Sequence, residues 1–143
     1  MLLNYLVDLE ITYALNDVDN VAEKLIKVVD SKIILLQGKM GVGKTTLVKS
    51  IAKALGSKED VSSPTFSIVN EYEISEGLLY HFDLYRIKDI EEAYSFGIED
   101  YLYTENWIVV EWPDVIKPIL NDDFCEVFLE EITKKLRKLK VKK

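Results

Sequence analysis

The chain has 143 residues, 48% of them hydrophobic and 30% charged, so it can bury one sizeable core but not two. No apolar run approaches the length of a membrane span, and the first residues lack the basic and apolar segments of a signal peptide. One cysteine excludes an internal disulfide, and one histidine leaves too few ligands for a zinc cluster. The composition therefore predicts a cytoplasmic protein with a single domain over residues 1–143.

The net charge of −7 is unevenly distributed, because seven of the 18 basic side chains lie in the last ten residues. These are Lys134, Lys135, Arg137, Lys138, Lys140, Lys142 and Lys143. The acidic remainder would repel nucleic acid on its own. The basic tail, from about residue 134, is expected to be a solvated terminal element, and contact with RNA phosphates or an acidic partner is the alternative.

Hydrophobic periodicity predicts strands that alternate with helices, which is the pattern of an α/β fold with a sheet that is parallel at least near residues 33–36. The expected elements are a strand at 6–15, a helix from Asn16 or Asp17 to about Val29, a buried strand at 33–36, a helix at 44–55, a strand at 66–72, a turn at Glu76-Gly77, a strand at 78–83, a helix at 89–96 and a strand at 107–110. The segment after residue 125 is ambiguous. The spacing of Leu129, Ile132, Leu136 and Leu139 fits a helix face, whereas residues 126–129 fit a strand equally well.

Residues 38–45 read Gly-Lys-Met-Gly-Val-Gly-Lys-Thr and match the phosphate-binding loop G-x-x-x-x-G-K-[ST] at every specified position. The glycines allow backbone N–H groups to surround a phosphate, and the following helix N-terminus adds positive potential. Lys44 is therefore expected to neutralise the β- and γ-phosphates, and Thr45 to supply a hydroxyl to Mg²⁺. The predicted nucleotide-binding residues of this segment are Gly38, Met40, Gly41, Val42, Gly43, Lys44, Thr45 and Thr46.

Two acidic residues stand at the ends of apolar strands, where this class of protein places the acid that organises Mg²⁺. Glu111 ends the strand at 107–110, and Asp83 ends the strand at 78–83, so we expect both near the nucleotide. Thr65, in the loop at 61–65, is the best candidate for a hydroxyl that senses the γ-phosphate. His81 lies within an apolar strand and is expected to be a core residue rather than a base.

Two observations narrow the class of nucleotide-binding protein. Neither the N-K-x-D nor the D-x-x-G motif of small GTPases occurs in the sequence. Nucleotide kinases normally clamp phosphates with several arginines, and this chain has only Arg86 and Arg137. A small-molecule P-loop kinase is therefore the weaker alternative to an ATPase. A regulatory nucleotide-binding module without turnover is disfavoured by the presence of both Glu111 and Asp83.

Four sequence blocks, in their order along the chain, resemble the TsaE (formerly YjeE) family, the bacterial ATPase of tRNA threonylcarbamoyladenosine synthesis. They are GKMGVGKTT at 38–46, SPTF at 63–66, HFDLYR at 81–86 and VEWP at 110–113. The resemblance extends from about residue 33 to residue 114. It implies a P-loop NTPase fold, with a mostly parallel sheet flanked by helices and a C-terminal antiparallel strand pair. It thereby favours strands over a helix in the ambiguous segment.

The resemblance also implies ATP hydrolysis that depends on Mg²⁺ and is slow outside a complex. That complex forms N6-threonylcarbamoyladenosine on tRNA beside the anticodon. The implied partners are a transferase subunit of the TsaD type and its pseudo-enzyme companion of the TsaB type, and tRNA is reached indirectly through them. By motif match, Thr45 and Glu111 would hold Mg²⁺. Asp83, Glu111 and Thr65 would form the catalytic set, and Trp112 would pack beside the nucleotide.

Overall fold

The computed structural model of the protein describes residues 9–58, 68–121 and 123–142. Its strands are β1 (Leu9–Ala14), β2 (Ile33–Gln37), β3 (Val69–Ile74), β4 (Gly77–Asp83), β5 (Trp107–Glu111), β6 (Cys125–Glu131) and β7 (Leu136–Lys142). Its helices are α1 (Val18–Val28), α2 (Lys44–Ala54), α3 (Ile90–Ser95) and α4 (Ile98–Leu102). The predicted loop at 61–65, with Thr65, lies outside the described residues. No helix within the described ranges is long and apolar enough to cross a membrane.

The seven strands form one mixed sheet in the order β1-β7-β6-β2-β5-β4-β3. Strand β2 runs parallel to both β5 and β6, and β4 runs parallel to β5. The pairs β3–β4, β6–β7 and β1–β7 are antiparallel. Parallel strands need crossover connections, which here carry helices that cover the faces of the sheet. The predicted α/β class and the C-terminal antiparallel pair are confirmed.

The ambiguous segment forms strands because its buried side chains alternate. Val127 and Leu129 of β6 pair with Val141 and Leu139 of β7, and all four side chains are buried. Ile132, which helical spacing would place on the same face, lies in the turn between the strands and is 43% exposed. The basic tail is thus an interior strand, because β7 lies between β1 and β6.

Helix α2 anchors the segment that precedes it, because one of its faces is buried against the sheet. Leu47, Val48 and Ile51 lie in the same apolar cluster as Ile34 and Leu36 of β2. Burial of a side chain of this size stabilises the fold by about 1.5–3 kcal/mol. A second cluster packs α3 and α4 against the opposite face of β2, β5 and β4. The loop between β2 and α2 is therefore fixed at both ends by buried elements.

The register of the parallel strands determines which residues meet at the edge of the sheet. Glu111, the last residue of β5, is paired with Leu36 of β2 on one side and with Asp83 of β4 on the other. The carboxyl ends of neighbouring parallel strands lie at the same edge, where α/β proteins bind their ligands. The loop that follows β2 therefore lies beside both acidic residues.

Candidate functional site

The loop between β2 and α2 has a backbone shape that depends on glycine. Gly43, the residue before α2, has φ of 111° and ψ of 22°, and Gly41 has φ of 79°. Residues with a side chain rarely adopt these angles. A Cβ atom built on either glycine would meet no atom within 4 Å beyond the glycine and its chain neighbours, so the space in front of the loop is open. A group that enters this space can approach the loop backbone closely.

Lys44 begins α2, and its buried ammonium group is turned back over the loop. Its Nζ donates a hydrogen bond to the Gly38 carbonyl oxygen at 2.7 Å and lies 3.5 Å from the centre of the Trp112 ring. Burial lowers the pKa of Lys44, whereas the nearby carboxylates of Glu111 and Asp83 raise it. A desolvated cation interacts strongly with an anion because little water screens it. Lys44 is thus held where it can exchange its present contacts for phosphate oxygens.

The two acidic residues line the same pocket as Lys44. Thr45 Oγ1 donates a hydrogen bond to Glu111 Oε2 at 3.3 Å, and Asp83 Oδ1 accepts one from the Tyr85 backbone N–H at 3.1 Å. The pocket has a volume of ≈ 340 Å³ and is lined by Met40, Gly41, Gly43, Lys44, Thr45, Thr46, Asp83, Glu111 and Trp112. The structure therefore brings most of the predicted site residues together.

Two predicted residues lie in an adjoining cleft instead. Gly38 and Val42 line a space of ≈ 570 Å³ between the loop and the end of β6, which shares Met40 and Gly41 with the smaller pocket. The loop passes close to β6 at this point, because a Cβ atom on Gly38 would lie 2.9 Å from the Leu129 carbonyl oxygen. Thr65 lies outside the described residues, so its predicted role stays a prediction.

The oxygen atoms at the pocket edge fit a hard divalent cation. Mg²⁺ prefers oxygen ligands at 2.0–2.1 Å and is usually bound by one or two carboxylates together with phosphates and water. Two adjacent ligands of such an octahedral ion lie about 2.9 Å apart. Thr45 Oγ1 lies 3.3 Å from the nearer oxygen of the Glu111 carboxylate, so the hydroxyl and the carboxylate can reach one ion with little movement. No group of three His, Cys, Asp or Glu side chains that could hold a metal ion occurs in the described part of the chain.

Arg137 supports the loop from β7, and sequence reasoning missed this role because the residue lies in the basic tail. Its Nε donates to the Val42 carbonyl oxygen at 2.8 Å, and its Nη1 donates to the Thr133 carbonyl oxygen at 2.8 Å. Its Nη2 forms an ion pair with Glu131 at 3.3 Å. The one available signal was the alternation that places residue 137 on the same strand face as the apolar residues 139 and 141.

A known protein family matches most of the chain. The family model described as "Threonylcarbamoyl adenosine biosynthesis protein TsaE" matches residues 12–139, which is most of the chain. The chain belongs to the TsaE family. The resemblance found in the four sequence blocks is thereby confirmed.

Several curated proteins that are similar to this chain carry the name "tRNA threonylcarbamoyladenosine biosynthesis protein TsaE". The protein from Haemophilus influenzae is 42% identical over 103 residues, which are 71% of this chain and 65% of the relative. The protein from Aquifex aeolicus is 43% identical over 102 residues, 70% of this chain and 67% of the relative. The protein from Rickettsia felis is 40% identical over 106 residues, 73% of this chain and 61% of the relative. The matched part spans less than two thirds of the Haemophilus and Rickettsia proteins.

A solved structure shows the same fold. The crystal structure of YdiB from Bacillus subtilis superposes with a TM-score of 0.68 and covers 95% of this chain and 86% of that chain. The two sequences are 22% identical, so this likeness concerns the fold alone.

Replacing Arg137 by methionine is expected to lower the free energy of unfolding by about 1.5–3 kcal/mol. Methionine keeps much of the aliphatic stem, but the Val42 and Thr133 carbonyl groups lose a charged donor. We also expect weaker nucleotide binding, because the phosphate loop is then less rigidly held. Urea denaturation and calorimetric titration with ADP measure the two effects.

The neighbouring Lys138 offers a matched control for this prediction. Its ion pair with Glu10 at 3.3 Å is partly solvent-exposed, and exposed pairs contribute about 0–1 kcal/mol. Lys138→Met is therefore expected to change little. Equal losses of stability and affinity in both variants would contradict the support that we assign to Arg137.

Trp112 should report nucleotide binding through its fluorescence. Its ring lies over Lys44 Nζ and 5.0 Å from the ring of Tyr85. When a phosphate binds the Lys44 ammonium group, the charge near the Trp112 ring changes, so we expect the emission to change as well. Trp107, at the other end of β5, lines a separate cleft and should not respond. A nucleotide signal that persists in Trp112→Phe and disappears in Trp107→Phe would reverse the assignment.

Proposed function

We propose that the protein binds Mg²⁺-ATP at this site and hydrolyses it in support of N6-threonylcarbamoyladenosine formation on tRNA. The observation that carries the proposal is the convergence of Lys44, Thr45, Asp83 and Glu111 on one pocket of ≈ 340 Å³. A phosphate-binding lysine, a metal pair and a further carboxylate are the parts that phosphoryl transfer to water requires. The names of the curated relatives support the connection to tRNA.

The loop between β2 and α2 and the Lys44 side chain bind the phosphates. The ammonium group leaves the Gly38 carbonyl oxygen for the β- and γ-phosphate oxygens, and the N–H groups at the start of α2 donate to the same anion. The nucleoside is assigned to the adjoining cleft of ≈ 570 Å³, which is within the usual size of small-molecule sites. The side chain of Phe128 in this cleft offers an apolar surface for the base.

The acidic residues are assigned to metal binding and to orienting the attacking water. Thr45 and Glu111 would hold Mg²⁺, which when bound neutralises charge on the phosphates. Asp83 is assigned to orienting the attacking water. It lies on the strand next to Glu111, and its carboxylate can accept a hydrogen bond from the water. Thr65 keeps its predicted role as the hydroxyl that responds to the γ-phosphate.

Partners are expected to be needed for turnover. The described lining of the pocket contains Lys44 as its cation and no arginine, whereas related enzymes use an arginine to stabilise the transition state. A partner that supplies one raises turnover by about 10³–10⁵-fold in such systems. We therefore propose that the protein acts in the cytoplasm with a transferase of the TsaD type and a companion of the TsaB type, which contact the tRNA.

Steady-state phosphate release tests this proposal against the kinase alternative. Slow release by the protein alone, and faster release with the purified transferase and its companion, is the expected result. Transfer of the γ-phosphate to a small molecule instead of water would favour a kinase. Fast release that the two proteins do not change would contradict the dependence on partners.

A further inference from the structure

His81 is a fully buried polar residue that contacts the proposed metal-binding carboxylate. Its side chain is 0% exposed, and its Nε2 lies 2.5 Å from Glu111 Oε2. In the β4–β5 register Asp83 is opposite Glu111, and His81 is opposite Val109. His81 therefore reaches Glu111 diagonally across the two strands, from the same face of β4 that carries Asp83.

The contact fixes one oxygen of the Glu111 carboxylate. Glu111 Oε2 also accepts the hydrogen bond from Thr45, so this one oxygen has two donors. Glu111 is 4% exposed, and a buried carboxylate requires such donors because water cannot solvate it. With Oε2 engaged in this way, Oε1 is the oxygen that remains for a metal ion.

The donor role of His81 follows from its other ring nitrogen. His81 Nδ1 is buried and has no hydrogen-bond partner within the described ranges. A neutral imidazole carries one N–H and one acceptor nitrogen, and leaving a buried donor unpaired is costly. The tautomer that satisfies Glu111 carries its proton on Nε2 and leaves Nδ1 as the acceptor. His81 then donates to Glu111.

We propose that His81 is a positioning residue, which holds the Glu111 carboxylate in the orientation that receives the divalent metal. The inference rests on the proposed metal-dependent function of the site. A glutamate side chain has several rotatable bonds, and a carboxylate that is already fixed loses less conformational freedom when it binds an ion. Hydrogen-bonded partners of metal ligands act in this way, and their removal typically lowers metal affinity or activity by about 10–100-fold.

Two variants that differ by one methylene group separate this role from simple core packing. In His81→Gln the amide nitrogen can take the place of Nε2, so the hydrogen bond to Glu111 can be kept. In His81→Asn the shorter amide is near the position of Nδ1 and cannot reach Glu111. Ser50→Ala is the control, because it removes a buried hydroxyl from α2 that bonds to Asp19 at 2.7 Å.

The experiment measures Mn²⁺ binding to the ADP-loaded protein from the paramagnetic resonance signal of the free ion. ADP affinity in EDTA is measured in parallel, because it reports the phosphate loop without metal. We expect His81→Asn to weaken Mn²⁺ binding by about 10–100-fold with unchanged ADP affinity in EDTA. His81→Gln should recover most of the Mn²⁺ affinity, and Ser50→Ala should match the wild type.

Three results would overturn the inference, and one of them also concerns the proposed function. If His81→Asn binds Mn²⁺ as the wild type does, His81 does not position the metal ligand. If both His81 variants lose ADP affinity in EDTA as much as Mn²⁺ affinity, the residue serves packing alone. If the wild-type protein binds ADP but no Mn²⁺, the proposed metal site itself is wrong and the inference falls with it.

Discussion

Replacing Glu111 by glutamine is expected to leave nucleotide binding intact and to lower metal-dependent phosphate release by about 10²–10³-fold. This loss corresponds to about 3–4 kcal/mol in the activation barrier. The amide keeps the size and shape of the buried side chain but removes the negative charge that attracts the metal. In the unaltered protein Thr45 Oγ1 and His81 Nε2 both contact Glu111 Oε2. The amide of the variant presents to them either an N–H donor or an oxygen that is a weaker acceptor.

Glu126 provides the matched control for this substitution. It lies on β6 and forms an ion pair with Lys117 at 2.7 Å, outside the residues that line the ≈ 340 Å³ pocket. Glu126→Gln should hydrolyse ATP at the wild-type rate. Phosphate release is measured over a range of Mg²⁺ concentrations, with ADP affinity measured separately. Phosphate release at the wild-type rate by Glu111→Gln would indicate that Asp83, and not Glu111, holds the metal.

Replacing Lys44 by alanine is expected to weaken ATP and ADP binding by about 10–150-fold, which corresponds to a lost charged contact of about 1.5–3 kcal/mol. The folded protein should tolerate the change. Burial lowers the pKa of Lys44, which means that the fold disfavours its charged form. We therefore expect the lost charge to change the free energy of unfolding less than it changes nucleotide binding, so that binding and folding can be separated.

Calorimetric titration measures this effect, and Lys49→Ala is its control. Lys49 is an exposed residue of the same helix, so its removal changes the net charge equally without touching the pocket. Unchanged ADP affinity in Lys44→Ala would show that the loop at 38–45 is not the phosphate site. A loss of equal size in Lys49→Ala would point to a general effect of charge.

The phosphate loop and its flanking elements could be predicted because their signals are local. A fully apolar run gave β2, the helical spacing of Leu47 and Ile51 gave α2, and the motif specified the turn between them. The pairing of Asp83 with Glu111 could be anticipated only in outline, since both acids end apolar strands. Their place side by side depends on the strand order, which no local pattern contains.

Contacts between distant segments could not be predicted from the sequence. Arg137 is 95 residues from Val42, and its position in a basic tail suggested a solvated side chain. Only the insertion of β7 between β1 and β6 turns it towards the loop. His81 was correctly expected in the core, but its contact with Glu111 requires the register between two strands. Short α4 also escaped prediction, because five residues are too few to show helical periodicity.

The most direct test of the account is the N6-threonylcarbamoyladenosine content of tRNA, measured by mass spectrometry of digested nucleosides. The cells should carry this protein as their only copy, either unaltered or as Glu111→Gln or Glu126→Gln. We predict that the modified nucleoside is lost in Glu111→Gln and kept in Glu126→Gln when both variants are present at equal amounts. Full modification in cells with Glu111→Gln would contradict the claim that metal-dependent ATP hydrolysis at this site supports the tRNA modification.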